Sequence, residues 1–266
     1  MTVPGNIGIL IISCDSYSDT WDPFFHFFEK YWPDCPYSIY LATNSKLYHR
    51  KNINLIHFNK STNWTDETRT ALEKFPHNYF LHLLDDALLT KKVDSALIDS
   101  LFKKMLFYKA DHLRLFPSPG PDRGIANEDE IGIIDENAPY RTCLQAALWK
   151  KSSFLSLLKE EENPWGFEIN SPSRSKEYFC LSVKRQKKGH IKTHTYPITY
   201  YHKTGILKGK WLQGAVEMCT DEGVKLDLKY RKMETSVERW RRNSPKFLQH
   251  IYDFITNKYK KIIGNF

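Results

Sequence analysis

Two adjacent carboxylates interrupt an apolar stretch and are the strongest chemical signal in the sequence. Asp85 and Asp86 follow residues 79–84 (YFLHLL), which have the composition of a buried strand. Burial of a carboxylate is costly unless the group is paired or binds a metal, and two neighbouring carboxylates also repel each other. Their oxygens suit the hard cations Mg²⁺ and Mn²⁺. The pair therefore predicts a divalent-cation site; the alternative is a strand end with one acid capping a turn.

A second group of residues that could do chemistry lies near position 205. His202 could be a further metal ligand, Gly205 permits close backbone approach, and Lys208 and Lys210 supply cations for phosphate oxygens. A metal and lysines that converge on a diphosphate would stabilise the charge that develops as the diphosphate leaves. Together with the acidic pair, this order of residues favours metal-assisted transfer from a diphosphate-containing donor.

Alternating strands and helices must position these groups. The predicted strands cover residues 7–13, 37–42, 54–58 and 79–84, and the predicted helices cover residues 21–32, 65–75 and 93–109. We expect Thr65 to be the N-cap of the second helix. This order predicts a parallel α/β sheet with crossover helices, whose ligands bind beyond the carboxyl ends of the strands. Ser13, Cys14 and Asp15 share that predicted position with the acidic pair.

The pattern is less regular after residue 110. Residues 111–116 predict a strand, in which Arg114 reads as a surface charge, and residues 152–162 predict a helix. Residues 117–137 are rich in Pro, Gly and acids and predict a long functional loop that orders over a bound donor. Residues 163–168 (NPWGFE) predict a break after the helix.

At the acidic strand and the late motif, the chain resembles GT-A nucleotide-sugar glycosyltransferases. The strand that ends in Asp85-Asp86 resembles their DxD metal motif, although its spacing departs from strict D-x-D. His202 to Trp211 resembles the H-x-x-G-x-x-K-P-W signature of glycogenin-like transferases, with Gly209-Lys210 where a lone proline is expected. Four further segments resemble transferases of bacterial surface-polysaccharide (lipopolysaccharide or capsule) gene clusters: residues 21–25, 32–34, 140–149 and 164–168. The resemblance covers roughly residues 5–211.

The resemblance implies a fold, a cofactor and a binding site. The fold is a GT-A-like, Rossmann-type, mainly parallel sheet flanked by helices, and the cofactor is Mn²⁺ or Mg²⁺, held by Asp86, Asp85 and His202. The nucleotide-sugar donor would contact the end of the first strand and the late motif. With further candidates chosen by residue type and position, the expected donor-binding residues are Ser13, Cys14, Asp15, Tyr17, Trp64, Arg69, Asp85, Gln145, Gly205, Lys208 and Lys210.

Three of those donor candidates rest on residue type and position. Trp64 and Arg69 precede the acidic strand and could stack on or pair with the donor; a purely structural Trp64 is the alternative. Gln145, like Arg141, could contact a donor or acceptor sugar, because such side chains suit hydroxyl recognition.

Glu168 is the candidate general base, with Asp86 as the second catalytic residue. Its neighbours Trp165 and Phe167 could desolvate the carboxylate and raise its pKa toward the working range. Such a base would deprotonate the acceptor hydroxyl in an inverting transfer. The alternative is a structural carboxylate that caps or pairs with Arg174. Because the His-Gly-Lys signature comes from retaining enzymes, the stereochemical outcome stays open.

Composition limits the remaining function classes. The 266 residues carry a net charge of +8 and five scattered cysteines without a CxxC pair, which favours an anionic partner and a reducing cytosol. Residues 1–7 lack the features of a signal peptide. We divide the chain into a catalytic domain, residues 1–211, and a basic, helical C-terminal extension, residues 212–266. Its apolar face, residues 247–262, packs on the domain or docks at an anionic membrane surface.

The predicted function is transfer of a sugar from a nucleotide-sugar donor to a glycan or lipid-linked saccharide acceptor of the cell surface. The protein would act in the cytoplasm or peripherally on the inner face of the membrane. Two alternatives are a basic nucleic-acid-binding protein and a Mg²⁺-dependent nucleotidyltransferase. The sequence contains no nucleic-acid-binding module signature and no glycine-rich phosphate loop after the first strand, which argues against both.

Overall fold

The computed structural model describes residues 6–58, 63–185, 196–201 and 204–245. The chain divides into two compact units, Met1–Thr204 and Gly205–Phe266. The sequence interpretation placed a domain boundary after Trp211, and the assignment of catalytic and extension roles to these parts stays a prediction.

The first unit contains a nine-stranded mixed sheet. Its strands are β1 (Ile7–Ile12), β2 (Ile39–Thr43), β3 (Ile53–His57), β4 (Tyr79–Leu83), β5 (His112–Arg114), β6 (Arg123–Ile125), β7 (Glu128–Ile133), β8 (Ala147–Lys150) and β9 (Cys180–Val183). Their order across the sheet is β3-β2-β1-β4-β8-β5-β9-β7-β6. The four strands β1 to β4 are parallel to one another, whereas β8 pairs antiparallel with both β4 and β5. The predicted α/β fold class is confirmed.

Helices cover both faces of this sheet. They are α1 (Trp21–Tyr31), α2 (Trp64–Lys74), α3 (Ser95–Phe107), α4 (Lys151–Leu157) and α5 (Pro164–Arg174), with a 3₁₀ helix over Asp15–Thr20. On one face, Phe80 of β4 belongs to a buried cluster with apolar residues of α2, α4 and α5. On the other face, Tyr79 meets Phe102 of α3 with ring centroids 5.2 Å apart. Successive side chains of a strand point to opposite faces, so the apolar run of β4 is buried on both sides.

The connection between β3 and β4 creates a topological switch point between β1 and β4. The chain runs from β1 through β2 to β3 on one side of β1 and then returns to place β4 on the other side. Ligands of open α/β sheets bind at such a switch point, beyond the carboxyl ends of the two diverging strands. Ile11 pairs with Leu83 in the register between β1 and β4. Two residues further on, this register brings Ser13 and Asp85 side by side.

Two local predictions are wrong. The N-cap of α2 is Asn63, whose side chain accepts the N–H of Asp66, and not Thr65. Thr65 is buried and donates its hydroxyl to the backbone carbonyls of Lys159 and Glu162. The predicted break at residues 163–168 is the start of α5, because Asn163 caps this helix by accepting the N–H of Gly166 at 2.8 Å.

The expected long loop at residues 117–137 is largely a strand pair. It contains β6 and β7, and β7 extends the sheet by pairing with β9. Two of the three acids of β7 share a lysine of α3: Lys104 Nζ lies 2.7 Å from both Glu128 and Glu130. Because β7 pairs with β9, the segment is part of the sheet and not a free lid.

The second unit begins with a β-hairpin and continues with two short helices. Strands β10 (Ile206–Leu207) and β11 (Lys210–Trp211) precede α6 (Gln213–Asp221) and α7 (Ser236–Asn243). Thr235 and Glu238 form a capping box at the start of α7. The predicted apolar helix at residues 247–262 lies outside the described residues. Across the part of the chain that the structure describes, no helix has the length and apolar character needed to cross a membrane.

Candidate functional site

The carboxyl ends of β1 and β4 are connected by two side chains that the strand register places together. Ser13 follows β1 and donates its hydroxyl to Oδ2 of Asp85, which follows β4. The Ser13 oxygen in turn accepts the indole N–H of Trp21 at 2.8 Å. Asp85 is only 8% exposed. The predicted proximity of the two strand ends is therefore present in the structure, and one of the acids is held by protein donors.

The second acid has a different environment. Asp86 is half-buried and accepts a hydrogen bond from the Thr204 hydroxyl through Oδ2. Thr204 lies 118 positions later, so this bond joins the end of β4 to the late segment of the first unit. His202, the predicted nitrogen ligand, precedes Thr204 by two positions but lies outside the described residues.

The carboxylate oxygens of Asp85 and Asp86 suit a hard cation that also binds another ligand. Within residues 6–58, 63–185, 196–201 and 204–245, no group of three or more His, Cys, Asp or Glu side chains could hold a metal. The oxygen ligands that the described residues offer here are the carboxylates of Asp85 and Asp86. Mg²⁺ is typically bound in this way, through one or two carboxylates plus substrate phosphates and water. The chemistry of the site therefore fits the predicted Mg²⁺ or Mn²⁺.

The loop after β1 is organised by Asp15. Its carboxylate accepts the hydroxyls of Thr43 and Ser45 and the backbone N–H groups of Ser45 and Lys46. Burial alone would raise the pKa of Asp15, but these donors outweigh it and lower that pKa to about 2. Asp15 thus ties the end of β1 to the loop that follows β2. Its predicted contact with the nucleotide stays a prediction.

Cys14 and Tyr17 belong to the same turn. The Cys14 thiol lies 3.0 Å from the Ser16 hydroxyl. Burial raises the pKa of this thiol, and the charge of Asp85 raises it further, although Ser16 opposes the rise. Cys14 therefore lies near the acidic pair as an uncharged thiol. Tyr17 donates its backbone N–H to the Cys14 carbonyl at 2.9 Å, which closes the turn.

Glu168 is placed in the first turns of α5 and is held by a backbone donor. Its Oε1 accepts the N–H of Leu144 at 2.7 Å. Burial raises the pKa of Glu168, while the Leu144 N–H and the charge of Arg114 limit the rise. The predicted direction of the pKa shift is therefore present, but its proposed cause is wrong in part: Trp165 is 68% exposed.

The alternative role of Glu168 as a partner of Arg174 is wrong. Arg174 forms a bidentate ion pair with Glu162, at 2.6 and 3.0 Å. It also donates to the Leu157 carbonyl. The carboxylate of Glu168 faces Leu144 instead.

Two residues that the sequence interpretation did not assign connect Glu168 to the acidic strand. His82 of β4 is buried and its Nδ1 lies 3.0 Å from the Leu144 carbonyl. Burial lowers the pKa of His82 to about 4, so the ring is neutral and Nδ1 carries the proton donated to that carbonyl. The backbone N–H and C=O of Leu144 therefore join Glu168 to His82. No sequence pattern links these three positions, because the contacts depend on the tertiary structure.

The Tyr200 hydroxyl is influenced by the charges of both Asp86 and Glu168. Burial raises the pKa of its hydroxyl well above the usual range, and the charges of Cys143, Asp86 and Glu168 add to this rise. The Tyr200 ring stacks on Phe116 with centroids 4.6 Å apart. Both predicted catalytic carboxylates thus act on the same buried hydroxyl.

The remaining candidates of the first unit differ in their surroundings. Trp64 packs against the buried cluster below α5, with its ring 5.5 Å from that of Phe167, which supports a structural role. Arg69 lies half-buried on α2. Gln145 follows Leu144, and its buried Oε1 has no hydrogen-bond partner among the described residues. Arg141 is buried and donates to backbone carbonyls near residue 175, which makes it structural.

Gly205, Lys208 and Lys210 lie in the second unit. Lys208 and Gly209 both have positive φ, 51° and 73°, and form the turn of the β10–β11 hairpin. Lys208 is exposed at this turn. Lys210 forms an ion pair with Glu238 of α7 at 2.6 Å. The Gly205 carbonyl accepts the N–H of Leu212, which closes the base of the hairpin.

Comparisons with known proteins find only distant structural similarity. No protein-family model matches this sequence, and no curated protein does. The 1–349 fragment of S. aureus TarS is 8% identical, with 72% of this chain and 59% of that chain covered and a TM-score of 0.46. An active-site mutant of LgtC is 11% identical, with 88% and 99% covered and a TM-score of 0.46. UDP-glucose pyrophosphorylase in complex with UDP-glucose is 10% identical, with 69% and 92% covered and a TM-score of 0.43. The chain thus spans less than two thirds of the TarS fragment, and scores at this level assign no activity.

Proposed function

We propose that this chain is a metal-dependent glycosyltransferase that uses a nucleotide-sugar donor. The observation that carries the proposal is the position of Asp85 and Asp86 at the switch point of the sheet, where the register with β1 places Ser13 beside Asp85. Ligands of open α/β sheets bind at such a point, and carboxylate oxygens suit a cation that also binds phosphate. The predicted donor contacts of Ser13 and Gln145 belong to this proposal.

In this mechanism Glu168 is the general base. Its ionised carboxylate takes the proton of an acceptor hydroxyl, the hydroxyl oxygen bonds to the anomeric carbon of the donor sugar, and the bond from that carbon to the diphosphate breaks. Direct displacement of this kind inverts the anomeric centre. The burial of Glu168 supports the assignment, because it raises the pKa of this acid toward the range in which a base is effective. The Leu144 N–H holds the carboxylate in place.

The acidic pair would act at the leaving diphosphate. Asp86, with Asp85 and His202, would hold Mn²⁺ or Mg²⁺, which when bound would neutralise charge on the leaving diphosphate. Lys208 and Lys210 would contribute further positive charge. Lys210 would have to exchange its Glu238 partner for the diphosphate, whereas Lys208 is exposed at the hairpin turn.

A panel of nucleotide sugars, each with and without Mn²⁺, tests the proposal. The true donor should raise Tm, and the protein should release nucleoside diphosphate from it only with the metal. Asp86→Ala should abolish this release, and Asp34→Asn, which changes an exposed acid, should not. Metal-independent release, or wild-type turnover by Asp86→Ala, would refute the metal role. Release of pyrophosphate from a nucleoside triphosphate and a sugar phosphate would identify a nucleotidyltransferase instead.

The base is tested separately. Glu168→Gln keeps an oxygen that can accept the Leu144 N–H but cannot take a proton. It should bind donor with unchanged affinity and lower kcat for transfer by about 10²-fold or more. Glu177→Gln, an exposed acid just after α5, is the matched control. If both variants transfer sugar at the same rate, Glu168 is not the base.

The acceptor is proposed to be a glycan or lipid-linked saccharide of the cell surface. This part rests on the resemblance of residues 21–25, 32–34, 140–149 and 164–168 to transferases of surface-polysaccharide clusters. We also propose that the basic C-terminal extension docks on an anionic membrane surface. Flotation of the protein with vesicles of anionic and of neutral lipids tests the docking; equal recovery with both would argue against it.

A further inference from the structure

Two hydrogen bonds in series connect helix α1 to the first acid of the pair. The Trp21 indole donates to Ser13 Oγ at 2.8 Å, and Ser13 donates to Asp85 Oδ2. All three side chains are buried, with exposed fractions of 2%, 9% and 8%. Ser13 and Asp85 follow paired strands, whereas Trp21 is the first residue of α1. The contact therefore joins three elements at the switch point of the sheet.

The chemistry of the groups fixes the direction of both bonds. An indole N–H can only donate, so the Ser13 oxygen must be the acceptor of the first bond. The single hydroxyl proton of Ser13 is then directed at Asp85, which must accept it. A hydrogen bond donated to a carboxylate favours its charged form and restricts its rotation. Trp21 thereby acts on Asp85 through Ser13.

We propose that Trp21 and Ser13 are positioning residues that hold the Asp85 carboxylate in one orientation for binding of a divalent cation and its diphosphate ligand by the acidic pair. The proposal rests on the proposed function for the identity of that ligand. It also distinguishes the two acids: buried hydrogen-bond donors of the protein orient Asp85, whereas Asp86 is half-buried. Neither Trp21 nor Ser13 itself needs to touch the cation.

The chain offers a matched control at the other end of α1. Trp32 follows α1 directly, is 1% exposed, and donates its indole N–H to the Ser95 hydroxyl at 2.8 Å. Trp32→Phe therefore removes an indole–serine hydrogen bond of the same length from an equally buried position. It differs from Trp21→Phe in that Ser95 belongs to α3 and does not contact Asp85.

The first experiment needs no metal and no substrate. The indole N–H resonances of Trp21 and Trp32 are assigned by NMR in the wild type and followed in Asp85→Asn and Ser13→Ala. We expect both substitutions to shift the Trp21 resonance and to leave that of Trp32 in place. An unchanged Trp21 resonance in both variants would overturn the proposed connection, whether or not the protein is a glycosyltransferase.

The second experiment measures Mn²⁺ affinity by electron paramagnetic resonance of the free ion, with and without UDP. Loss of an outer hydrogen-bond partner typically costs 10- to 100-fold in metal affinity, so Ser13→Ala should weaken binding by about 10-fold or more. Trp21→Phe should weaken it by roughly threefold to tenfold, since it removes a neutral donor one step away. Ser13→Thr, which keeps the hydroxyl, should restore affinity, and Trp32→Phe should bind as the wild type does.

The two experiments separate failure of this inference from failure of the proposed function. Wild-type Mn²⁺ affinity in both Ser13→Ala and Trp21→Phe, alongside loss of affinity in Asp86→Ala, would overturn the positioning role and leave the metal site standing. Equal losses in Trp21→Phe and Trp32→Phe would also overturn it, because they would trace the effect to helix packing. Absence of Mn²⁺ binding in the wild type would overturn the metal role in both proposals, and the NMR connection alone would then describe a structural contact.

Discussion

Asp15 should stabilise the protein through its charge, since four protein donors surround its carboxylate. We consider Asp15→Asn, which preserves the size of the side chain but removes the charge and one acceptor oxygen. In the wild type, Oδ1 accepts from Thr43, Ser45 and Lys46, and Oδ2 accepts the Ser45 hydroxyl. The amide oxygen can retain the first three contacts. Its NH₂ group cannot accept the fourth.

The size of the effect follows from the pKa of Asp15. Its folded value is about 2, against 3.8 for the ordinary side chain. Each pKa unit corresponds to about 1.4 kcal/mol, so the charged form contributes at most about 2.5 kcal/mol to the free energy of unfolding. Because the carboxylate is partly exposed, solvent screening reduces this to ~1–2 kcal/mol. The folded pKa is depressed, so the contribution is present above pH 4 and is lost as the pH falls toward 2.

Urea unfolding of the two proteins at pH 7 and at pH 3 measures this contribution. Asp15→Asn should lower the free energy of unfolding by ~1–2 kcal/mol at pH 7 and by about half as much at pH 3, where the wild type has lost part of its charge-dependent stability. Asp34→Asn, an exposed acid, should change it by less than about 0.5 kcal/mol at either pH. A difference that is equal at both pH values would show that the charge of Asp15 does not stabilise the loop.

Three further substitutions have expected outcomes. Burial raises the pKa of Glu168, so ionisation of this side chain lowers the stability of the wild type as the pH rises from the ordinary glutamate pKa through the raised one. The Tm of Glu168→Gln should therefore rise relative to that of the wild type over the same pH interval. A relative fall in Tm would contradict this direction. Lys210→Ala removes an exposed ion pair with Glu238 and should leave the midpoint of urea unfolding nearly unchanged, so weaker nucleotide-sugar binding by this variant would report a phosphate contact. Arg114→Met should cost about 3 kcal/mol or more, since it leaves buried carbonyls without donors; a loss below 1 kcal/mol in urea unfolding would show that Arg114 does not anchor them.

The parallel half of the sheet was predictable because its signals are local. Strands β1, β2 and β4 are continuous apolar runs, and each begins and ends within a few residues of its predicted bounds. Helix α1 likewise follows from its aromatic periodicity and from the proline after Trp32. These elements are buried on both faces or along a wide stripe, so composition alone determines their type.

Helix α5 shows a local signal that was misinterpreted. Asn163-Pro164 was interpreted as a break, although Asn at the N-cap followed by Pro at the first helical position is a common way to begin a helix. The Asn163 side chain accepts the Gly166 N–H, and the proline has no N–H that would need a partner there. Gly166 and Pro172 lower the helix propensity of the segment. Burial of Phe167 against Phe154, with ring centroids 5.1 Å apart, offsets this cost.

The structural role of Arg114 has no local signal in the sequence. It was interpreted as a surface charge, yet it is fully buried and its guanidinium binds the carbonyls of Pro119, Tyr140 and Arg141. These carbonyls lie at the two ends of the segment that contains β6 and β7. One buried arginine thus holds together chain positions more than 20 residues apart, and only the tertiary structure shows which carbonyls need a donor.

The two adjacent aspartates show the same limit at the site itself. Their position at the end of an apolar strand can be predicted, but the division between them depends on the register of a neighbouring strand. Because Ile11 pairs with Leu83, Ser13 reaches Asp85 and not Asp86. A shift of that register by one residue would move the serine to the opposite face of the sheet and leave Asp85 buried without this donor. The pairing of β1 with β4 therefore determines which of the two carboxylates accepts the hydrogen bond of Ser13. Chemistry at Asp86 depends on contacts that no motif at residues 85–86 encodes.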